Sequence, residues 1–221
     1  MGFDHLILED VNWKDELLVP PTAGDVKAPE DFGNEAWDYL QGINQRRGVS
    51  TPWRNFDFRF ADGTFNIFMG MSGSGKSQIT QQIALHATRD GAATKPQKVL
   101  IWSAEMPTPA VVSTFCKLAG GVKAPSREYF DKILAYLGDR IWVYQRQHRV
   151  TLEELIGISL FAQRELGVTM VIIDSMMKVH SKANAANLNL VQQDMADQLA
   201  ITARDTGLIF LMVAHARKGE S

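Results

Sequence analysis

From residue 64 onward, short apolar runs alternate with longer stretches in which apolar residues return at helical spacing. The run TFNIFMG precedes a helical pattern over 76–89. KVLIWSA precedes a helix opened by Thr108 and Pro109 and stopped at Gly120 and Gly121. A third helix runs from about Ser126 to Leu137 and ends at Gly138, followed by RIWVYQ. Thr151 and Glu154 have the spacing of a capping box for a helix ending at Gly167. Then come VTMVIID, a helix over about 187–206 stopped by Gly207, and LIFLMVAH.

These apolar runs do not alternate inward and outward; they read as apolar on both faces, which suits a parallel sheet covered by helices on both sides. The predicted fold class is α/β, with a mostly parallel sheet of at least five strands flanked by helices on both faces. Right-handed crossovers would bring the strand ends, and the turns after them, to one edge of the sheet, where such folds bind ligands.

Upstream the pattern changes. Residues 1–31 hold eight acidic residues against two lysines, with Pro20, Pro21 and Pro29 and no sustained period, and read as an arm or linker. Residues 34–47 read as a short helix capped by Asn34, with Ala36, Trp37, Leu40 and Ile43 as one apolar stripe, Arg46 and Arg47 in the last turn and Gly48 as its stop. A lone helix of that length needs a surface to pack on. The expected division is an arm and linker helix over 1–48 and a core over 49–221.

Composition changes this picture little. A chain of 221 residues, 45% hydrophobic and 22% charged, can bury one core of respectable size. A formal charge of −2 gives no general attraction to nucleic acid or an anionic membrane, so any polyanion site must come from local Lys and Arg clusters. Cys116 is the only cysteine, which excludes an internal disulfide and a multi-cysteine zinc module and fits a reducing compartment. Its simplest role is that of a small buried hydrophobe. Neither a signal peptide nor a membrane span is visible, so a cytoplasmic protein without membrane contact is expected.

The chemistry gathers at the predicted strand ends. Gly70, Met71, Ser72, Gly73, Ser74, Gly75, Lys76 and Ser77 match G-x-x-x-x-G-K-[ST] between a strand and a helix, the setting that motif requires. Glycines let successive amides curl around a phosphate, and the helix N-terminus adds partial positive charge. Lys76 can reach the β and γ phosphates of ATP or another nucleoside triphosphate, and the Ser77 hydroxyl can ligate Mg²⁺. A flexible Gly/Ser turn would not also need the lysine.

Asp174 ends VTMVIID and suits a Mg²⁺ ligand; the plainer alternative is a solvated aspartate at a strand end. Glu105 follows LIWSA and can act as general base on an attacking water; a helix-capping carboxylate before Pro107 is the alternative. His215 ends the last strand and can hydrogen-bond a γ-phosphate, or simply be satisfied where it stands.

GMSGSGKS, SAEMP, VIIDS and VAHARK, in this order, resemble the RecA-type ATPase core of the DnaB-like replicative helicases, including the Twinkle and bacteriophage primase-helicase branches. The likeness covers about residues 34–221, and SAEMP is its most distinctive part. It implies Lys76 and Ser77 on nucleotide and Mg²⁺, Glu105 as catalytic glutamate, Asp174 as Walker B aspartate and His215 as γ-phosphate sensor. It also implies that residues 34–47 are a linker helix docking on a neighbouring subunit of a hexameric ring. The family continues past its last motif with a DNA-contacting loop and an arginine finger, so a chain stopping at Ser221 is expected to be a truncated core. No primase-like region precedes it.

In RecA-type folds the loops after the Walker B strand and after the final strand face a central channel. Here they carry Lys178, His180 and Lys182, then Arg217 and Lys218, and a ring repeats whatever charge they offer to single-stranded DNA. Lysines on loops are otherwise simply solvated. Arg146, His148 and Arg149 stay unassigned. The expected function is an ATP-driven helicase or translocase subunit working with other replication proteins. A RecA-like recombinase, or a nucleotide-switched loader or scaffold without unwinding activity, remains the alternative.

Overall fold

The computed structural model describes residues 28–42, 48–93, 96–146, 150–180 and 188–215, without the side chains at 178, 180 and 188–191. The chain divides into two compact units, Met1–Arg46 and Arg47–Ser221. In the first, a 3-10 turn (Pro29–Phe32) leads into helix α1 (Gly33–Leu40). That helix starts one residue before Asn34, which therefore lies in its first turn and does not cap it, and it ends at Leu40. Trp37 and Leu40 of the expected stripe are exposed. Ile43, Arg46 and Arg47 lie outside the described residues.

The second unit opens with two short strands, β1 (Val49–Ser50) and β2 (Arg59–Phe60), paired antiparallel. It continues as β3 (Phe65–Gly70), α2 (Lys76–Ala87), β4 (Val99–Ser103), α3 (Thr108–Gly120), α4 (Arg127–Leu137) and β5 (Ile141–Val143). After these come β6 (Val150–Thr151), α5 (Leu152–Leu166), β7 (Met170–Asp174), β8 (Val179–His180), α6 (Leu188–Thr206) and β9 (Ile209–His215). The predicted alternation is present. The helix ends fall where the left-handed glycines stand: Gly121 after α3, Gly167 after α5 and Gly207 after α6.

Five strands form one parallel sheet in the order β3-β9-β7-β4-β5. Alternate residues of the inner strands feed two cores. Ile101, Ile172 and Leu211 pack on one face with Ile83 and Ala84 of α2, Val111 and Phe115 of α3, and Ile133 of α4. Leu100, Trp102, Ile173 and Phe210 pack on the other with Leu152 and Leu155 of α5 and Met195 and Leu199 of α6. Each fully buried aliphatic or aromatic side chain contributes about 1.5–3 kcal/mol of transfer free energy. β4, β7 and almost all of β9 are buried throughout, as continuous apolar runs require.

Strand β3 departs from that rule. It is an edge of the sheet, with β9 as its sheet neighbour, and Ile67 and Met69 are exposed on it.

A second departure lies at α5. The Thr151 hydroxyl accepts from the Glu154 amide at 3.1 Å, as a capping box requires. The Glu154 carboxylate, however, accepts from Tyr144 Oη at 2.6 Å and from Arg146. Burial and the Glu154 bond push the Tyr144 hydroxyl up to about 12. A charged partner outcompeted the reciprocal backbone bond.

The sheet register sets the working edge. Gly70 pairs with His215, and Ser103 pairs with Asp174. One hydrogen bond past the last β4–β7 pair, the Ala104 amide donates to the Asp174 carbonyl at 2.7 Å. The tips of four neighbouring strands thus carry the glycine-rich loop, His215, Asp174 and the segment leading to Glu105.

Candidate nucleotide-binding site

The loop between β3 and α2 holds its shape through backbone conformations that side chains disfavour. Gly75, at the N-cap of α2, has φ 82° and ψ 13°, in the left-handed region. At Gly70 an added Cβ would come within 3.1 Å of Ser74 Oγ and 3.4 Å of Lys76 Cδ, so a side chain there would press on the serine and the lysine of the cup. Lys76 begins α2, is 5% exposed, and donates from Nζ to the carbonyls of Gly70 at 2.9 Å and Met71 at 2.6 Å. Its ammonium is therefore pinned over the loop, among amides that a phosphate can take as donors.

Facing the loop, Asp174 is 1% exposed. Its carboxylate accepts a hydrogen bond from the Ser77 hydroxyl. Its Oδ1 is buried with no hydrogen-bond partner. Burial pushes the Asp174 carboxyl above the usual range and the nearby Glu105 charge adds to that, while the Ser77 bond, His215 and Lys76 oppose it. A buried carboxylate oxygen without a donor suits a cation.

Ser77 and Asp174 supply hard oxygens, the donor type Mg²⁺ takes. Among the described residues no group of three or more His, Cys, Asp or Glu could hold a metal by itself. Mg²⁺ typically binds through one or two carboxylates, completing its shell with phosphate oxygens and water. The residues present fit that mode.

Glu105 lies past the tip of β4 and does not cap α3, whose N-cap is Pro107 with no side-chain cap bond. Its Oε1 accepts from Ser175 Oγ at 2.8 Å and from His215 Nε2 at 2.9 Å. An ionised carboxylate only accepts, so Nε2 is the ring nitrogen that carries hydrogen here. Partial burial works to raise the Glu105 pKa, but the bonds from Ser175 and His215, with the charges of His215 and Lys76, outweigh it and hold the group below the usual carboxylate range. Glu105 is thus ionised at neutral pH and half-open to solvent, as a proton acceptor must be.

The structure brings Lys76, Ser77, Glu105, Asp174 and His215 to one edge of the sheet. For the expected DNA contacts it is silent: the side chain of Lys178 and the whole of Lys182, Arg217 and Lys218 lie outside the described residues. Ser175 was not foreseen. Its one signal in the sequence is its place directly after Asp174; its partner stands 70 residues away. Beside His215, a groove of about 260 Å³ runs between Ile67 and Met69 of β3, Met176, Met177, and Gln192 and Gln193 of α6. No described helix is long and apolar enough to cross a membrane.

None of the curated proteins matches this chain in sequence. Among solved structures, a DnaB-like replicative helicase studied with its interactions with primase superposes with a TM-score of 0.71 at 15% identity, covering 88% of this chain and 49% of that one. The chain thus spans about half the length of that helicase. A second solved structure, of an isolated ATPase domain, superposes with a TM-score of 0.71 at 13% identity, covering 88% of this chain and 73% of that one. At such identities the likeness is one of fold, and the fold is the RecA-like ATPase core. The family described as AAA domain matches residues 52–221, the greater part of the chain and all of its site. The chain belongs to the AAA domain family.

Proposed function

We propose that this chain is the ATP-hydrolysing motor part of a ring-forming DNA helicase or translocase, turning ATP and water into ADP and phosphate to move along single-stranded DNA. The observation that carries the proposal is the meeting of an ionised carboxylate, Glu105, with a buried, half-unpartnered one, Asp174, beside a lysine-tipped glycine loop.

The amides from Gly70 to Ser77 and the Lys76 ammonium bind the β and γ phosphates, with Lys76 exchanging its two loop carbonyls for phosphate oxygens. Ser77 and Asp174 would hold Mg²⁺, which supplies charge neutralisation on the phosphates when bound. Glu105 orients the attacking water and accepts its proton. His215, hydrogen-bonded to the same carboxylate, reports whether a γ-phosphate is in place.

On this reading Lys178, Lys182, Arg217 and Lys218 contact DNA phosphates from the channel loops, and the exposed Trp37 and Leu40 of α1 dock on a neighbouring copy in a hexameric ring. The fold-likeness to a helicase studied with primase supports a setting among other replication proteins.

Purified protein tests the proposal directly. ATP hydrolysis stimulated by single-stranded DNA, with rings in negative-stain images, is the expected result. Lys76→Ala should abolish nucleotide binding or turnover, and Lys178→Ala with Lys182→Ala should weaken DNA binding and flatten its salt dependence. Filaments would favour the recombinase, and ATP binding without a DNA response would favour the scaffold.

A further inference from the structure

We propose that Ser175 is a positioning residue for hydrolysis, a hydroxyl that holds Glu105 by one carboxylate oxygen so that the other stays aimed at water. The inference rests on the ATPase reading above.

Ser175 stands at the N-cap of the 3-10 turn Met176–Lys178, where a serine hydroxyl ordinarily satisfies a free backbone amide. It makes no such cap bond. Its hydroxyl donates instead to Glu105 Oε1 at 2.8 Å, across to the neighbouring strand tip. The residue is fully buried, so the hydroxyl has no solvent to turn toward. Its base is fixed as well, since it follows Asp174, whose carbonyl accepts from Ala104 at 2.7 Å and whose strand pairs with β4 up to Ser103.

Glu105 needs such a hold. Its side chain is 38% exposed and has several rotatable bonds, so left alone it would sample many positions. Ser175 and His215 both donate to Oε1, from two different strands. Two donors converging on one oxygen fix the plane of the carboxylate and spare Oε2 for the proton of an attacking water. His215 is only partly buried and has a further expected duty toward the phosphate. Ser175 has no other bond to serve, and its contribution is constant through the cycle.

The test compares wild type, Ser175→Ala, Ser175→Thr, Glu105→Gln and the Glu105→Gln/Ser175→Ala double variant in the full chain, with ATP turnover, KM and equilibrium ATP binding measured for each. Ser175→Ala should lower kcat about tenfold, a fraction of the total that general-base catalysis contributes, while KM and ATP binding stay within about twofold of wild type, the precision expected of an uncoupled site. Ser175→Thr keeps the donor and should recover most of the rate. In the Glu105→Gln background the Ser175→Ala change should cost nothing more, because the group it positions is already inert. Equal losses in both backgrounds, or a fall in ATP binding matching the fall in kcat, would show a structural role and overturn the proposal. Should Ser175→Ala fail to fold, an unchanged kcat for a folded Ser175→Val variant would overturn it in the same way. Absence of turnover in wild type would instead bring down the ATPase reading and this inference together.

Discussion

His215 Nε2 lies 2.9 Å from Glu105 Oε1, joining the tip of β9 to the segment beyond β4 across the intervening strand β7. The bond is an ion pair whenever the imidazole is protonated. His215→Ala removes one of two donors on the carboxylate and the group that faces the phosphate. Turnover should fall by about ten- to a hundredfold, within the range of a single positioned catalytic group. Equilibrium ATP binding, carried by the loop, should change little. Steady-state kinetics beside a binding titration check this, and a loss confined to binding would contradict it.

Asp174 links the site to stability. Its folded-state pKa is raised by burial, so the native state binds a proton more readily than the unfolded chain. Stability therefore falls as pH rises from the ordinary carboxylate value through the raised one, and the penalty is complete at neutral pH. Asp174→Asn should raise the Tm of the nucleotide-free protein by a few degrees at pH 7, with the advantage shrinking toward acid pH. The same substitution should abolish the Mg²⁺ dependence of ATP binding. Melting curves at several pH values, with and without Mg²⁺ and ATP, read both effects. Such a trade between stability and activity is common at functional sites.

Two glycines should respond to alanine with opposite sign. Gly75 sits at φ 82°, and an added Cβ there meets nothing within 4 Å, so Gly75→Ala pays only for the left-handed backbone, about 1–2 kcal/mol. Gly157 lies inside α5 with equally open space and a helical backbone, so Gly157→Ala should stabilise by about 0.5–1 kcal/mol. Denaturant melts of the two variants provide the comparison.

The core makes a simpler demand. Ile172 is fully buried in β7, paired with Ile101 on one side and Leu211 on the other. Ile172→Ala should cost about 2–5 kcal/mol, since neighbours on two strands and the helices above them can collapse only partly into the cavity. Chemical denaturation gives the value directly.

Much of this site is legible in the chain because its chemistry sits at the ends of apolar runs. Once VTMVIID and LIFLMVAH are read as buried parallel strands, Asp174 and His215 must emerge at one edge, and the glycine loop identifies which edge. What local pattern cannot reveal is a partner brought in by the fold. Ser175 meets Glu105 only because β7 lies beside β4, and Glu154 leaves its cap only because Tyr144 and Arg146 arrive from the turn after β5. The pairs β1–β2 and β6–β8 have two residues per strand, too few to display a period. Nor does TFNIFMG announce that it will form an edge, where Ile67 and Met69 stay uncovered.

ATP turnover by Glu105→Gln, measured beside its equilibrium binding of ATP and Mg²⁺, bears most directly on whether this strand-tip carboxylate drives hydrolysis. The amide keeps the shape and still accepts from Ser175 and His215, but it cannot take a proton. ATP binding equal to wild type with turnover reduced at least about a hundredfold is the expected result. Turnover at the wild-type rate would contradict it.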